Sequence, residues 1–169
     1  EGDVVAFEPD VWLAQLLRRS CKLQPTNSAT VTVVPAAVAE SCDLRVFSLA
    51  RRSRATNFLQ GYGSTQTGGV SELQIVVSPL LDWVAQRLPP PDVLKIDVEG
   101  APLEVLKGGA DLLRRKQPRL LVEVSAAASS DVAILLREFG YEIFDGEVPK
   151  AEREPLELAP WSTVAIPAQ

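Results

Sequence analysis

Histidine and methionine are both absent from the 169 residues, and cysteine occurs only twice, as Cys21 and Cys42. Without an imidazole there is no Ser-His-Asp triad, no Cys-His pair and no histidine metal site, so any base must be a carboxylate, a lysine or a tyrosine. The cysteines stand in neither a CxxC nor a metal-ligand spacing. Two thiols permit one disulfide, but reduced thiols in a cytoplasmic protein are the expectation. Basic residues are in deficit, 17 against 22 acidic ones, for a formal charge of -5. Such a chain lacks the positive field that nonspecific nucleic-acid or anionic-membrane binding requires, which leaves small molecules as the expected partners. Long apolar runs are missing too. The longest, such as residues 120–124, which Glu123 interrupts, are strand-length against the roughly twenty residues of a bilayer crossing, so no membrane span is expected. Glu1-Gly2-Asp3-Val4-Val5 contains no basic leader and no small-residue cleavage site; nothing visible supports secretion, and the start reads as cut.

What is present is a core of one domain's size: 46% of the 169 residues are apolar, consistent with a single domain over residues 1–169. Val4-Val5-Ala6-Phe7 reads as a buried strand that stops at a helix entrance, Glu8-Pro9-Asp10. Leu13, Leu16, Leu17 and Cys21 recur at helical spacing, and Arg18, Arg19 and Lys22 crowd the last turn, where the helix dipole favours cations. Residues 30–34 are dense in β-branched side chains and predict a second strand; residues 44–49 predict a weaker one. Residues 51–69 dissolve into polar residues and glycine and read as one long irregular loop, of a length that is usually functional or disordered. Leu73, Ile75 and Val77 alternate with Glu72, Gln74 and Val76, which predicts a strand with one wetter face, and Pro79 opens a short helix. Strands are predicted over residues 93–98, 119–124 and 141–144, with a last one over 162–166 antiparallel to its predecessor. Helices are expected over 101–107, 111–115 and 131–139, the first two broken at Gly108-Gly109. Strands separated by helices imply a mostly parallel α/β sheet with an antiparallel edge.

In open α/β sheets ligands collect beyond the carboxyl ends of the strands, which singles out the polar residues there. Glu8 stands where an acid can accept both hydroxyls of a ribose, or it is a charge placed at a helix start. Asp97 and Glu99, two apart at the end of an apolar strand, would share a side in extended geometry, repel, and supply a general base. Alternatively, Asp97 or Glu99 pairs with Lys95 or Lys107 or caps the following helix. Glu123 lies inside an apolar strand and needs either Lys95 as a partner or a place in the site. Arg51, Arg52 and Arg54, with Asn57 nearby, form either a solvated loop or a contact for an anionic substrate. Trp12, Trp83 and Trp161 are expected to be packing residues.

Several of these segments carry a family resemblance. Val5-Ala6-Phe7-Glu8-Pro9, Pro35-Ala36-Ala37-Val38, Leu81-Asp82, Leu94-Lys95-Ile96-Asp97-Val98-Glu99-Gly100-Ala101 with Val105-Leu106-Lys107-Gly108, and Pro118 with Leu121-Val122-Glu123 resemble, in order and approximate spacing, the FkbM-type methyltransferases. The resemblance implies a Rossmann-like class I methyltransferase fold that binds S-adenosylmethionine and methylates a hydroxyl of a small metabolite or glycan. It implies further that Glu8 takes the cofactor ribose, that Ala37 and Val38 lie against the adenine, and that Asp97 and Glu99 face the methyl group and the acceptor, with Asp97 also touching the cofactor and no metal involved. Three departures stand out. Pro102 occupies a place where the family often has glutamate; Ser125-Ala126 replaces a histidine that often follows the glutamate strand; and the family's first strand and glycine-rich turn would lie ahead of Glu1. The chain is therefore expected to be an N-terminally truncated form that alone binds the cofactor weakly or not at all, or else a non-catalytic α/β module that has lost cofactor binding. A dehydrogenase has little support without a GxGxxG turn.

Overall fold

The computed structural model describes residues 2–25, 28–63 and 67–168. They divide into two compact units, residues 1–38 with 42–79 and residues 39–41 with 80–169.

The first unit begins with β1 (Asp3–Phe7), α1 (Val11–Cys21) and β2 (Thr30–Val34). β1 and β2 run parallel, in register from Asp3 opposite Thr30 to Phe7 opposite Val34, and the Glu8 N–H adds one more bond to the Val34 carbonyl at 3.0 Å. A parallel pair needs a crossover, and α1 supplies it. Asp10 caps its first turn and Arg18 and Arg19 occupy its last, so both ends suit the helix dipole. Arg18 then ties the helix back to β2 by donating to the Val33 carbonyl at 2.9 Å.

The rest of this unit is β3 (Asp43–Ala50), β4 (Phe58–Leu59) and β5 (Val70–Ser78). β3 and β5 form a long antiparallel ribbon from Asp43 opposite Ser78 to Ala50 opposite Val70, with an irregularity between Leu49 and Ala50. β4 pairs antiparallel on the other edge of β3. Residues 51–69 are thus not one plain loop, since they contain β4 and a 3-10 turn at Arg54–Thr56; residues 64–66 of that stretch lie outside the described residues. The alternation along β5 is present, but its wet side is the apolar one. Leu73, Ile75 and Val77 are 60%, 67% and 58% exposed, whereas Val76 and Ser78 are buried.

The second unit carries α2 (Leu81–Ala85), β6 (Val93–Ile96), α3 (Pro102–Gly108), α4 (Ala110–Arg115), β7 (Arg119–Glu123), α5 (Ser129–Glu138), β8 (Tyr141–Asp145) and β9 (Ser162–Pro167). Its sheet runs β6-β7-β9-β8. β6 and β7 are parallel, joined through α3 and α4, and β9 is antiparallel to both its neighbours. The core is apolar and closed: Leu106, Leu113, Val122, Val132, Leu136 and Ala165 are fully buried. The break between α3 and α4 falls at Gly108 and Gly109, as the glycine pair predicts. Gly108 has a packing reason as well, because a Cβ there would lie 2.1 Å from the Ala39 carbonyl oxygen. Asp82 caps α4 from outside that helix, its carboxylate accepting the N–H groups of Asp111 at 3.0 Å and Leu112 at 2.8 Å.

The expected sheet fails as well. Among the described residues two strand pairings are parallel, β1 with β2 and β6 with β7, and four are antiparallel; the sheets are not mostly parallel. The physical reason is the connections. Only β1–β2 and β6–β7 are joined by crossover helices, the usual link between parallel neighbours, while the chain returns from β3 to β5 and from β8 to β9 without an α-helix, and both of those pairs are antiparallel.

Candidate active site

In the first unit the candidate residues follow the end of β1. Glu8 is half-buried, and its Oε1 accepts the Asp10 N–H at 2.8 Å. Burial pushes the Glu8 carboxyl above the ordinary glutamate range; the Asp10 N–H pulls against that, and the Asp10 charge adds to it. Asp10 itself has no exposed surface, and a buried carboxylate is tolerable only with partners. It has four. Oδ1 accepts the N–H groups of Trp12 at 2.9 Å and Leu13 at 3.4 Å, and Oδ2 accepts Asn57 Nδ2 at 3.0 Å together with the Arg54 guanidinium. Arg54 also lies over the Trp12 ring, 4.9 Å from its centroid. Of the basic cluster, Arg54 and Asn57 are therefore absorbed by Asp10, while Arg51 and Arg52 are exposed.

The turn at residues 36–38 leaves β2 and lies against β5. Ala36 and Ala37 are buried and Val38 is half-buried. The backbone of Ala37 is pinned on both sides: its N–H donates to the Val77 carbonyl at 3.0 Å, and its carbonyl accepts the Ser78 hydroxyl at 2.7 Å. This is a small-residue, backbone-fixed surface.

In the second unit the ends of β6 and β7 bring three carboxylates together. The last parallel pair is Ile96 opposite Val122, so Asp97 directly follows β6 and Glu123 ends the neighbouring β7. β6 stops at Ile96, and the chain turns at Gly100, whose φ of +77 favours glycine. Asp97 and Glu99 are thus not alternate residues of a strand. Asp97 is exposed and pairs with Lys95 at 2.6 Å. Glu99 is half-buried, and its carboxyl is raised above the ordinary range, by burial first and then by the charges of Asp97 and Glu123. Lys95 pairs with Asp97 and not with Glu123, and Lys107 pairs with Glu40 at 3.8 Å. No cluster of acidic or thiol ligands that could hold a metal occurs among the described residues.

Two readings of single residues change. Trp12, Trp83 and Trp161 are 54%, 45% and 60% exposed rather than packed inside; Trp12 and Trp83 instead lie against the guanidinium groups of Arg54 and Arg87. Asp10, which the sequence marks only as part of a helix entrance, is the most highly coordinated carboxylate among the described residues of the first unit. Its signal was an N-cap position in a chain that also holds a basic cluster, but nothing in the spacing joins the two.

A family model described as the methyltransferase FkbM domain matches residues 1–143. The crystal structure of methyltransferase FkbM from Methylobacillus flagellatus KT is similar in fold, with a TM-score of 0.54 at 18% identity. The match covers 96% of this chain and 36% of that one, so the chain spans about a third of the length of that structure. No curated protein matches the chain.

Proposed function

The chain belongs to the FkbM methyltransferase family, and from that premise we propose that it takes part in S-adenosylmethionine-dependent methylation of a hydroxyl group on a small metabolite or glycan, on a Rossmann-like class I framework. The observation that supports this most is the family match over residues 1–143, joined to carboxylates at the carboxyl ends of both parallel strand pairs. The fit to the cofactor rests on Glu8. One of its oxygens is held by a backbone N–H and the group is half-buried, the setting in which a carboxylate can receive ribose hydroxyls with little reorganisation. The fixed small-residue turn at Ala37 and Val38 is assigned to the adenine.

When bound, the cofactor supplies an electrophilic methyl group on a sulfonium. The chain's own contribution is to orient and to move one proton. Positioning of reactants is worth roughly 7–11 kcal/mol and a general base roughly 10²- to 10⁴-fold. Of the two candidate bases, Glu99 is preferred to Asp97. Its carboxyl, partly removed from water and raised above the ordinary range, suits proton uptake, whereas Asp97 is exposed and engaged by Lys95 and is assigned to contact with the cofactor.

The test is transfer of labelled methyl from S-adenosylmethionine to a panel of hydroxylated metabolites and glycans by the full-length product of the gene. Activity that Glu99→Gln lowers by about 10²-fold or more, with S-adenosylhomocysteine affinity kept, supports the assignment. Activity unchanged in that variant removes Glu99 as the base, and absence of cofactor binding by a folded protein would move the reading to a non-catalytic module.

A further inference from the structure

Asp10 is more heavily bonded than a helix cap needs to be. Capping α1 takes the two bonds from Trp12 and Leu13, and an uncharged serine or asparagine provides these without burying a charge. Asp10 instead has no exposed surface and spends its second oxygen on Arg54 and Asn57. A carboxylate has about four acceptor positions, so these donors fill them. The two remote partners come from 44 and 47 residues away, on the segment that follows β3.

That segment is itself braced. Asn57 is buried and its Oδ1 accepts the Ala50 N–H, at the end of β3, at 2.8 Å. Ser53 caps the short turn, accepting the Ala55 N–H at 3.2 Å with its hydroxyl and the Thr56 hydroxyl at 2.9 Å with its carbonyl. At the other end of the chain of bonds, the Asp10 N–H is the donor that holds Glu8. The order is therefore β3, Asn57 and Arg54, the Asp10 side chain, the Asp10 backbone, then Glu8.

We propose that Asp10, Arg54 and Asn57 are positioning residues that fix the orientation of Glu8 for the cofactor ribose, so that the segment after β3 governs cofactor affinity without touching the cofactor. The inference rests on the ribose role given to Glu8 above. A one-nitrogen contact from Arg54 to Asp10 is within the reach of a lysine ammonium as a point charge. Arg54→Lys should therefore restore most of what Arg54→Ala removes.

Two readouts test this. The first is calorimetric titration of S-adenosylhomocysteine into the full-length gene product. Arg54→Ala and Asn57→Ala should each weaken binding by about tenfold, the loss expected when a charge-assisted hydrogen bond no longer holds its group. In a Glu8→Ala background they should cause no further loss. The second needs no ligand: carbon NMR of the Glu8 carboxyl in this chain. In the wild type it should titrate above the ordinary glutamate value, and in Arg54→Ala and Asn57→Ala it should move back toward that value as Glu8 swings into water, with Arg54→Lys keeping the wild-type curve. Losses that add fully to that of Glu8→Ala, or a Glu8 titration unchanged in both clamp variants, overturn the proposal. If the wild type binds no S-adenosylhomocysteine, the ribose reading of Glu8 fails while the NMR curve still decides whether the three residues position it.

Discussion

Glu8-Pro9-Asp10 and Asp97-Val98-Glu99 are nearly the same device in sequence: two carboxylates, two residues apart, just past a strand that is parallel to its neighbour. The structure treats them in opposite ways. At the first, the inner carboxylate, Asp10, is buried and surrounded by donors, and Glu8 is held by its backbone. At the second, Asp97 stays in water with Lys95, and Glu99 is left half-buried beside two other negative charges. Spacing along the chain brings carboxylates to a strand end. Burial and the donors that come from elsewhere decide whether such a group braces the fold or keeps a raised proton affinity.

Substitutions that equalise the two turns test this difference, and the largest effect is expected at Asp10. Asp10→Ala removes a helix cap and leaves the buried Asn57 amide without its acceptor; a loss of about 2–4 kcal/mol is expected in urea unfolding. Arg54 is 41% exposed on its side chain, so water takes over part of its partner's role and the loss does not reach that of a fully buried ion pair. Asp82, which caps α4 with no buried partner beyond the two N–H groups, provides a reference. Asp82→Ala should cost about 1 kcal/mol in the same measurement, and equality with Asp10→Ala would mean that the Arg54 and Asn57 bonds add nothing.

Glu99→Gln should act in the other direction. A carboxyl raised in the folded state favours its protonated form there, so its contribution to stability is complete below the unfolded-state value near 4.5 and is lost as pH rises through the higher folded-state value. The amide, which cannot ionise, should therefore stabilise the protein at neutral pH, and the gain should vanish in acid. Melting temperatures of both proteins from pH 4 to pH 8 check the sign; a destabilising effect at neutral pH would show that Glu99 has a cationic partner. The smallest effect belongs to Lys95→Ala. Both members of that ion pair are about half exposed, and a change of about 0–1 kcal/mol, shrinking further with salt, is expected.

Much of the local structure was legible because it is written in local pattern. The β-branched run at Thr30–Val34 is β2 to the residue, the glycine pair divides α3 from α4, and the antiparallel pairing of β8 with β9 goes with a polar return that Pro149, Pro155 and Pro160 interrupt. The ribbon of β3 and β5 was not legible. Its strands are separated by residues 51–69, far more than the two-residue connection that announces a hairpin, and part of that stretch is itself strand. The exposed apolar side of β5 could not be read either, because alternation identifies two faces without saying which one is covered.

The placement of the candidate residues was legible to the same depth, their roles being proposals. Strand ends located Glu8, Asp97, Glu99 and Glu123, and the pairing of Asp97 with Lys95 was one of the alternatives the sequence left open. What pattern could not supply was tertiary: Asp10 draws its donors from Arg54 and Asn57 across more than forty residues, and β6 ends at Ile96 before alternation can align Asp97 with Glu99.

The most direct measurement is calorimetric titration of S-adenosylhomocysteine into this chain and into the full-length product of its gene, each with and without Glu8→Ala. Saturable binding by at least one of the two, weakened about tenfold or more by Glu8→Ala as expected for loss of a charged hydrogen-bond acceptor, is the expected result. Binding that Glu8→Ala leaves unaltered, or no binding by either folded form, would contradict it.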